Sequence, residues 1–297
     1  MSGMVVVTGG RGFIGGHLVR ALEKMGNAVK IVEVDDGAGG ILDFELLMRK
    51  FMGAKLVFHL GATSGNLYFN YPPLGIKTNC KGTWNVLEAA RLAGVRRVLF
   101  ASTSSLYAFS PLPHKEEHPV ADDINLYALT KRFGEATCQM FWRKYGLETV
   151  ILRLASIYGT EEEKKGNVMN PIHQFIDCMM RGEQPVLFQG GKQTRDLTFV
   201  DDVVSAFIHA SMSVPPGEIY NVSTGQETSF NDVVDAINKV LGKNIKPIYR
   251  NFETSGLQTV YIDRQWVDNS KLQATGWKPT VDLMSGIKRI VDCAHNW

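Results

Sequence analysis

Thr8-Gly9-Gly10-Arg11-Gly12-Phe13-Ile14-Gly15 decides how this chain is read, together with its flanks from Met4 to Asp36. Met4 to Val7 is an apolar, β-rich run closed at once by glycines, as in a buried parallel strand. After Gly15 the apolar residues fall at Leu18, Val19, Leu22 and Met25, a helical period that stops at Gly26. Val29 to Val34 reads as a second strand that ends among Glu33, Asp35 and Asp36. The order is strand, glycine turn, helix, strand, acid. Gly9, Gly12 and Gly15 keep the three-residue spacing that lets a backbone turn tightly, approach a pyrophosphate and pack a helix on a strand. The pyrophosphate would rest on the unpaired amides at the start of the helix. Glu33, 24 residues beyond Gly9, stands where an acid accepts the ribose hydroxyls of NAD. NAD is preferred to NADP, because no Arg follows that strand to take a 2′-phosphate and Lys30 lies inside it.

The remainder of the chain is compatible with such a core. Its 297 residues are 44% hydrophobic and 21% charged, which suits a soluble globular protein of one large domain or two. Net charge is +2 with both signs interspersed, so no nucleic-acid face is expected. Cys80, Cys138, Cys178 and Cys293 are widely spaced and read as reduced thiols, not as disulfides or a metal site. No apolar run approaches ~20 residues, and little precedes the first strand, so a cytoplasmic protein without a membrane partner is expected.

Downstream, strands alternate with helices. Residues 37–44 are glycine-rich with room for only a stub of strand, Glu45 to Met52 is helical, and Leu56 to Leu60 is the next strand, followed by a small-residue loop at Gly61-Ala62. His59 at that strand's end reads as a packed, hydrogen-bonded histidine. A helix is expected over Asn79 to Ala93 and a strand over Val95 to Ala101, which runs into Ser102-Thr103-Ser104-Ser105. Four hydroxyl side chains in a row at a buried strand end are hard to explain by packing. Tyr127 and Lys131 then stand at i and i+4 on a helix to about Tyr145, so both project from one face. Thr149 to Leu154 is another strand and Ile219 to Val222 the last of the main sheet. This alternation predicts an α/β doubly wound parallel sheet, the Rossmann arrangement, over residues 1–159, with 195–225 returning to it. Residues 160–297 are expected to form mainly a smaller, irregular α/β substrate-binding domain.

Ordered along the chain, these motifs resemble the extended short-chain dehydrogenases/reductases, in their nucleotide-sugar epimerase/dehydratase branch. The match rests on 8–15, Phe58-His59-Leu60-Gly61-Ala62, Asn79 with Gly82-Thr83, Ser102-Thr103 ahead of Tyr107, and Tyr127-x-x-x-Lys131. It continues through Arg153 with Tyr158-Gly159, Arg195-Asp196 with Val200-Asp201-Asp202, and Tyr220-Asn221-Val222. The resemblance implies that Tyr127 is the general base, Lys131 lowers its pKa and holds the nicotinamide ribose, and Thr103 hydrogen-bonds the reacting hydroxyl. It implies NAD contacts from Gly9, Gly12, Phe13, Ile14, Gly15, Glu33, Leu60, Gly61, Ala62, Asn79, Tyr127 and Lys131; the adenine acid is either Asp43 or missing. Substrate contacts are implied for Thr103, Ser156, Asn167, Val168 and Arg195, with Arg250 or Arg264 as a second diphosphate ligand.

The family's dehydratases follow the catalytic Thr with an acid pair, but Ser104 and Ser105 stand here. That argues against 4,6-dehydration and for 4-epimerisation of a nucleotide sugar. UDP-glucose/galactose or their N-acetyl forms are expected, with hydride removed from and returned to C4 through a 4-keto intermediate. A reductase or dehydrogenase with net NAD(P)H turnover, and a non-catalytic dinucleotide sensor, are the alternatives. Ser156 replaces the family's usual Asn, Ala108 replaces a Gly, and the stretch from Glu33 to Leu56 is short. A homodimer through the helices of Thr83–Ala93 and Tyr127–Tyr145 is also implied, with Trp84, Cys138 and Phe141 buried either there or in the monomer core.

Overall fold

The Met4–Thr8 run forms β1, second from one edge of a six-stranded parallel sheet in the computed structural model of the chain, which describes residues 3–34, 39–63, 71–108, 110–120, 125–162, 170–251 and 262–294. Around it, in chain order, are α1 (Phe13–Lys24), β2 (Ala28–Val32), α2 (Phe44–Phe51), β3 (Leu56–His59), α3 (Pro72–Ile76) and α4 (Thr83–Leu92). Then come β4 (Arg97–Thr103), α5 (Leu126–Tyr145), β5 (Glu148–Leu154) and β6 (Ser156–Tyr158). The later elements are α6 (Pro171–Met180), β7 (Val186–Phe188), β8 (Thr194–Arg195), β9 (Leu197–Phe199), α7 (Val200–Ser213), β10 (Ile219–Val222), β11 (Thr228–Ser229), α8 (Phe230–Leu241) and β12 (Ile248–Arg250). Helices α9 (Ser270–Gln273) and α10 (Leu283–Ala294) close the described chain.

Strand order in the main sheet is β2-β1-β3-β4-β5-β10, so the doubly wound parallel arrangement is present. From β1 the chain runs to β2 on one side and later to β3 on the other. The crevice between β1 and β3 is therefore the topological switch point, where α/β sheets bind ligands. Successive residues of each strand point to opposite faces, and both faces are covered, so the strands need apolar residues throughout. Val5, Val7, Phe58, Leu99, Val150 and Leu152 pack on one face with Leu18, Leu22, Val203 and Phe207. Val6, Val57, Val98, Phe100 and Ile151 pack on the other with Leu47, Phe51, Val86, Leu87 and Phe141. Cys138 and Phe141 are thus monomer-core residues, whereas Trp84 is 43% exposed and touches the edge of the Phe141 ring.

Two local expectations are corrected. Residues 40–42 form a 3₁₀ turn, not a stub of strand: Gly39 and Gly40 both have positive φ, and a Cβ on Gly40 would run into the Val34 and Glu33 carbonyls. Helical structure also begins at Pro72, not at Asn79. Proline suits the first turn because it has no N–H to leave unpaired. A π-helical turn over Lys77–Gly82 joins α3 to α4 and turns Asn79 inward. The smaller strands pair as β6 with β9, β7 with β12, and β8 with β11, outside the main sheet. Among the described residues, no helix is long and apolar enough to cross a membrane.

Candidate active site

The glycine turn and the loop after β3 meet backbone to backbone at the switch point. Gly9 has φ +69°, and a Cβ there would lie 2.9 Å from Gly61 Cα and N. A Cβ on Gly15 would fall on the Gly9 carbonyl oxygen, so this position admits only glycine. Gly12 is the N-cap of α1 and has no side chain to cap the turn; its N–H donates to the Gly9 carbonyl at 3.1 Å. Phe13 is buried and Ile14 partly buried against the core. Glu33 lies beside the turn, its Oε1 accepting from the Arg11 N–H at 2.9 Å. A cradle that added carbons would fill, with a carboxylate at its rim, fits a dinucleotide.

Supporting contacts fix this crevice. Thr8 Oγ1 accepts from the Gly61 N–H at 3.0 Å and meets His59 Nδ1 at 2.7 Å. With Thr8 donating to Nδ1, the His59 proton lies on Nε2, which faces Thr83 Oγ1 at 3.0 Å. His59 is therefore a packed histidine satisfied on both nitrogens, and burial, aided by the nearby Lys131 charge, lowers its pKa to about 3. Asn79 accepts from the Thr63 N–H at 2.8 Å and donates to the Thr63 carbonyl and to Thr130 Oγ1 at 2.9 and 3.1 Å. It ties the loop carrying Leu60, Gly61 and Ala62 to α5. Asp43 caps α2, its Oδ1 accepting from the Leu46 N–H at 2.9 Å.

Thr103 ends β4, and Tyr127 and Lys131 rise from the first turns of α5, which packs along β4 and β5. Thr103 Oγ1 accepts from the Ser105 N–H and donates to Ser105 Oγ, both at 3.1 Å. Lys131 is buried, with Nζ donating to the Ala101 carbonyl at 2.9 Å and lying 5.8 Å from the Tyr127 ring centroid. The expectation for Tyr127 joins the Lys131 charge to that of an oxidised nicotinamide, and the chain's own groups show what those charges must offset. Burial dominates both groups, pushing Tyr127 up to about 12 and Lys131 down to about 8. A lysine one turn away does not by itself offset the loss of water around the phenol.

The expected substrate residues are divided. Ser156 donates to Gln265 Oε1 at 2.8 Å, and Gln265 Nε2 donates to Ser104 Oγ at 3.0 Å, which brings Ser156 beside the Thr103 strand end. Arg195 is not the partner of Asp196. Its Nη1 donates to the Thr194 and Ile262 carbonyls at 2.7 and 2.8 Å, while the Asp196 carboxylate accepts from Thr224 and Gly225. Arg264 is held in two bonds by Glu227, at 2.9 and 2.5 Å, so this acid would compete with a diphosphate for the same N–H groups. Asn167 and Val168 lie outside the described residues.

Sequence reasoning missed two features. Gln265 lies far along the chain from Ser104 and has no periodic signal. Glu135 carried one, since it continues the Tyr127–Lys131 face by another turn. It pairs with Arg153 and accepts from Ser102 Oγ at 2.5 Å.

Comparison with known proteins agrees with this geometry. The family model described as "NAD dependent epimerase/dehydratase family" matches residues 5–223. A putative UDP-glucose 4-epimerase of Methanocaldococcus jannaschii is 33% identical, over 99% of both chains. A UDP-N-acetyl-α-D-glucosaminuronate decarboxylase of Bacillus cytotoxicus is 33% identical, over 84% of this chain and 83% of its own. The crystal structure of UDP-glucose 4-epimerase with UDP-glucose from Thermotoga maritima superposes with a TM-score of 0.89 at 28% identity, over 99% of both chains. With its switch-point crevice, glycine cradle and Tyr127–Lys131 helix, the chain belongs to the NAD-dependent epimerase/dehydratase family.

Proposed function

We propose that the protein is a nucleotide-sugar 4-epimerase that retains NAD, acting on a UDP-sugar such as UDP-glucose or UDP-galactose. The observation that carries this is the end of β4. Thr103 is followed by Ser104 and Ser105, whose hydroxyls are bonded to Gln265 and Thr103, and no carboxylate stands there to remove water from the sugar. Gly9, Gly12, Gly15, Glu33 and the Leu60–Ala62 loop would hold the dinucleotide, which supplies hydride-accepting and hydride-donating chemistry when bound. Tyr127 Oη takes the proton of the C4 hydroxyl, and Thr103 Oγ1 holds that hydroxyl. Lys131 Nζ keeps a positive charge near the phenol, and the oxidised nicotinamide provides the second charge needed against burial. Tyr127 Oη would later return that proton to the same oxygen, so the base would end each turnover as it began.

A homodimer accompanies this reading. Trp84 and Leu92 on α4, and Leu129, Phe133 and Tyr145 on α5, are large apolar side chains more than 40% exposed. Leu129 and Phe133 stand one turn apart, and a second copy of the same helix pair would cover them. Light scattering should give about twice 33.0 kDa, falling to the monomer in Phe133→Glu.

Proton NMR with UDP-galactose and a catalytic amount of NAD⁺ tests the activity. UDP-glucose should accumulate to equilibrium without net NADH. Stoichiometric NADH would point to a dehydrogenase, loss of CO₂ from a uronate to a decarboxylase, and inertness toward all nucleotide sugars would sink the enzyme reading.

A further inference from the structure

Lys131, Glu135 and Arg153 are buried together where α5 crosses β4 and β5, each at most 5% exposed. Lys131 and Glu135 stand at i and i+4, the spacing that puts two side chains on one helix face. Glu135 Oε1 and Oε2 accept from Arg153 Nε and Nη2 at 2.9 and 2.8 Å, and Oε1 also accepts from Ser102 Oγ. Lys131 Nζ donates instead to the carbonyl of Ala101, the residue before Ser102. Consecutive residues of β4 therefore hold the ammonium and the carboxylate.

The other ionisable groups around this cluster are uncharged near neutral pH. Burial pushes up Tyr127 and Cys138 on the same helix and Tyr107 beside Arg153, and it lowers His59 on β3 to about 3. The cluster's charges are thus two cations and one carboxylate. A buried cation is costly unless an opposite charge faces it. Arg153 meets that charge through two direct bonds. Lys131 meets it through the field of the same carboxylate, across one helical turn. An ammonium has three donors, and the Ala101 carbonyl takes one. A carboxylate bonded directly to Nζ would compete with a cofactor hydroxyl for the others, and the two bonds to Arg153 direct Glu135 away from doing so.

We propose that Glu135 is a positioning residue that acts through Lys131: held by Arg153 and Ser102, its carboxylate supplies the countercharge for the ammonium without occupying its N–H groups. The proposal rests on Tyr127 and Lys131 being the proton-transfer pair of the reading above, and it adds the group that keeps that pair charged.

The test is a ¹³C NMR titration of Lys131 in NAD⁺-supplemented protein labelled at the lysine ε-carbons, the signal assigned by its loss in Lys131→Met. Glu135→Gln keeps an acceptor oxygen and the side-chain length but removes the charge, so the Lys131 midpoint should fall by about one pH unit. Arg153→Gln removes the opposing cation, and the midpoint should rise by about as much. The double variant restores the charge balance and should titrate close to wild type. The alkaline limb of the pH profile for UDP-galactose conversion should follow the midpoint in all three. Either single variant decides the question by itself, because the two read one field with opposite signs. Midpoints that do not move, or that move the same way in both, would mean that Glu135 only ties α5 to β5 and would overturn the proposal. A wild-type protein that converts no nucleotide sugar would overturn the nucleotide-sugar reading, whereas the titration, read without substrate, would still decide the role of Glu135.

Discussion

Glu135 and Arg153 are joined by two buried charge-assisted hydrogen bonds, Nε to Oε1 at 2.9 Å and Nη2 to Oε2 at 2.8 Å. The pair ties α5, one turn beyond Lys131, to β5. Arg153 Nη1 extends it to Tyr107 Oη at 3.0 Å, and Tyr107 donates to Asn221 on β10 at 2.7 Å. Burial alone disfavours the charged guanidinium, but the bond and charge of Glu135 outweigh it and the Arg153 pKa is raised. Removing one partner leaves the other charge buried and unpaired. Glu135→Leu or Arg153→Met should each cost about 3–5 kcal/mol in urea unfolding, and the double variant clearly less than the sum. Additive losses would show that the two residues are not coupled.

Tyr127→Phe removes only the hydroxyl, so packing along β4 and β5 should survive. Turnover should fall by at least about 10³-fold, within the range for loss of a positioned proton-transfer group and its coupled contacts. NAD⁺ affinity should stay within about threefold, because the glycine cradle is untouched. Measured turnover above a tenth of wild type would remove Tyr127 from the chemistry.

The sheet and the glycine cradle were legible because local patterns specify them: apolar runs, glycine spacing and the four-residue step from Tyr127 to Lys131. Three other features were not. The π-helical turn at Lys77–Gly82 follows from Asn79 reaching Thr63, a contact across 16 residues. Gln265 meets Ser104 across 161 positions, and no periodicity encodes such a meeting. The electrostatics of Tyr127 depend on how much water the fold removes, and spacing along a helix says nothing of that.

Gly15→Ala is the smallest change that tests the cradle. Its methyl would occupy the position of the Gly9 carbonyl oxygen and crowd Gly10 Cα at 2.9 Å, so α1 would have to move away from the turn. The turn and α1 are where the dinucleotide is expected to rest, so NAD⁺ affinity should fall at least about 100-fold, or nearly 3 kcal/mol. The melting temperature should fall as well, since Leu18 and Leu22 of α1 are buried in the core. Normal NAD⁺ titration of a folded Gly15→Ala protein would rule out a pyrophosphate at this turn.

Lys131 should show the opposite balance, with its removal stabilising the protein while stopping catalysis. Burial holds its pKa at about 8, below the ordinary 10.5, so below pH 8 the native state carries the full cost of a buried charge. That cost is about 3 kcal/mol, against about 1 kcal/mol for the hydrogen bond to the Ala101 carbonyl. Lys131→Met should therefore unfold about 2 kcal/mol less readily than wild type at pH 7. As pH rises from 8 toward 10.5 the native lysine loses its proton before the unfolded one does, so the destabilising contribution of Lys131 fades. The buried Cys138 thiol and the Tyr127 phenol, both pushed up by burial, work the other way as pH rises, since each ionises first in the unfolded chain; both are shared with the variant, so the difference between the two proteins from pH 8 to 10 reports Lys131. Over that window the advantage of Lys131→Met should shrink by about 2 kcal/mol in urea unfolding. A difference that stays constant from pH 7 to 10 would mean that Lys131 keeps its proton throughout and that burial does not govern its charge.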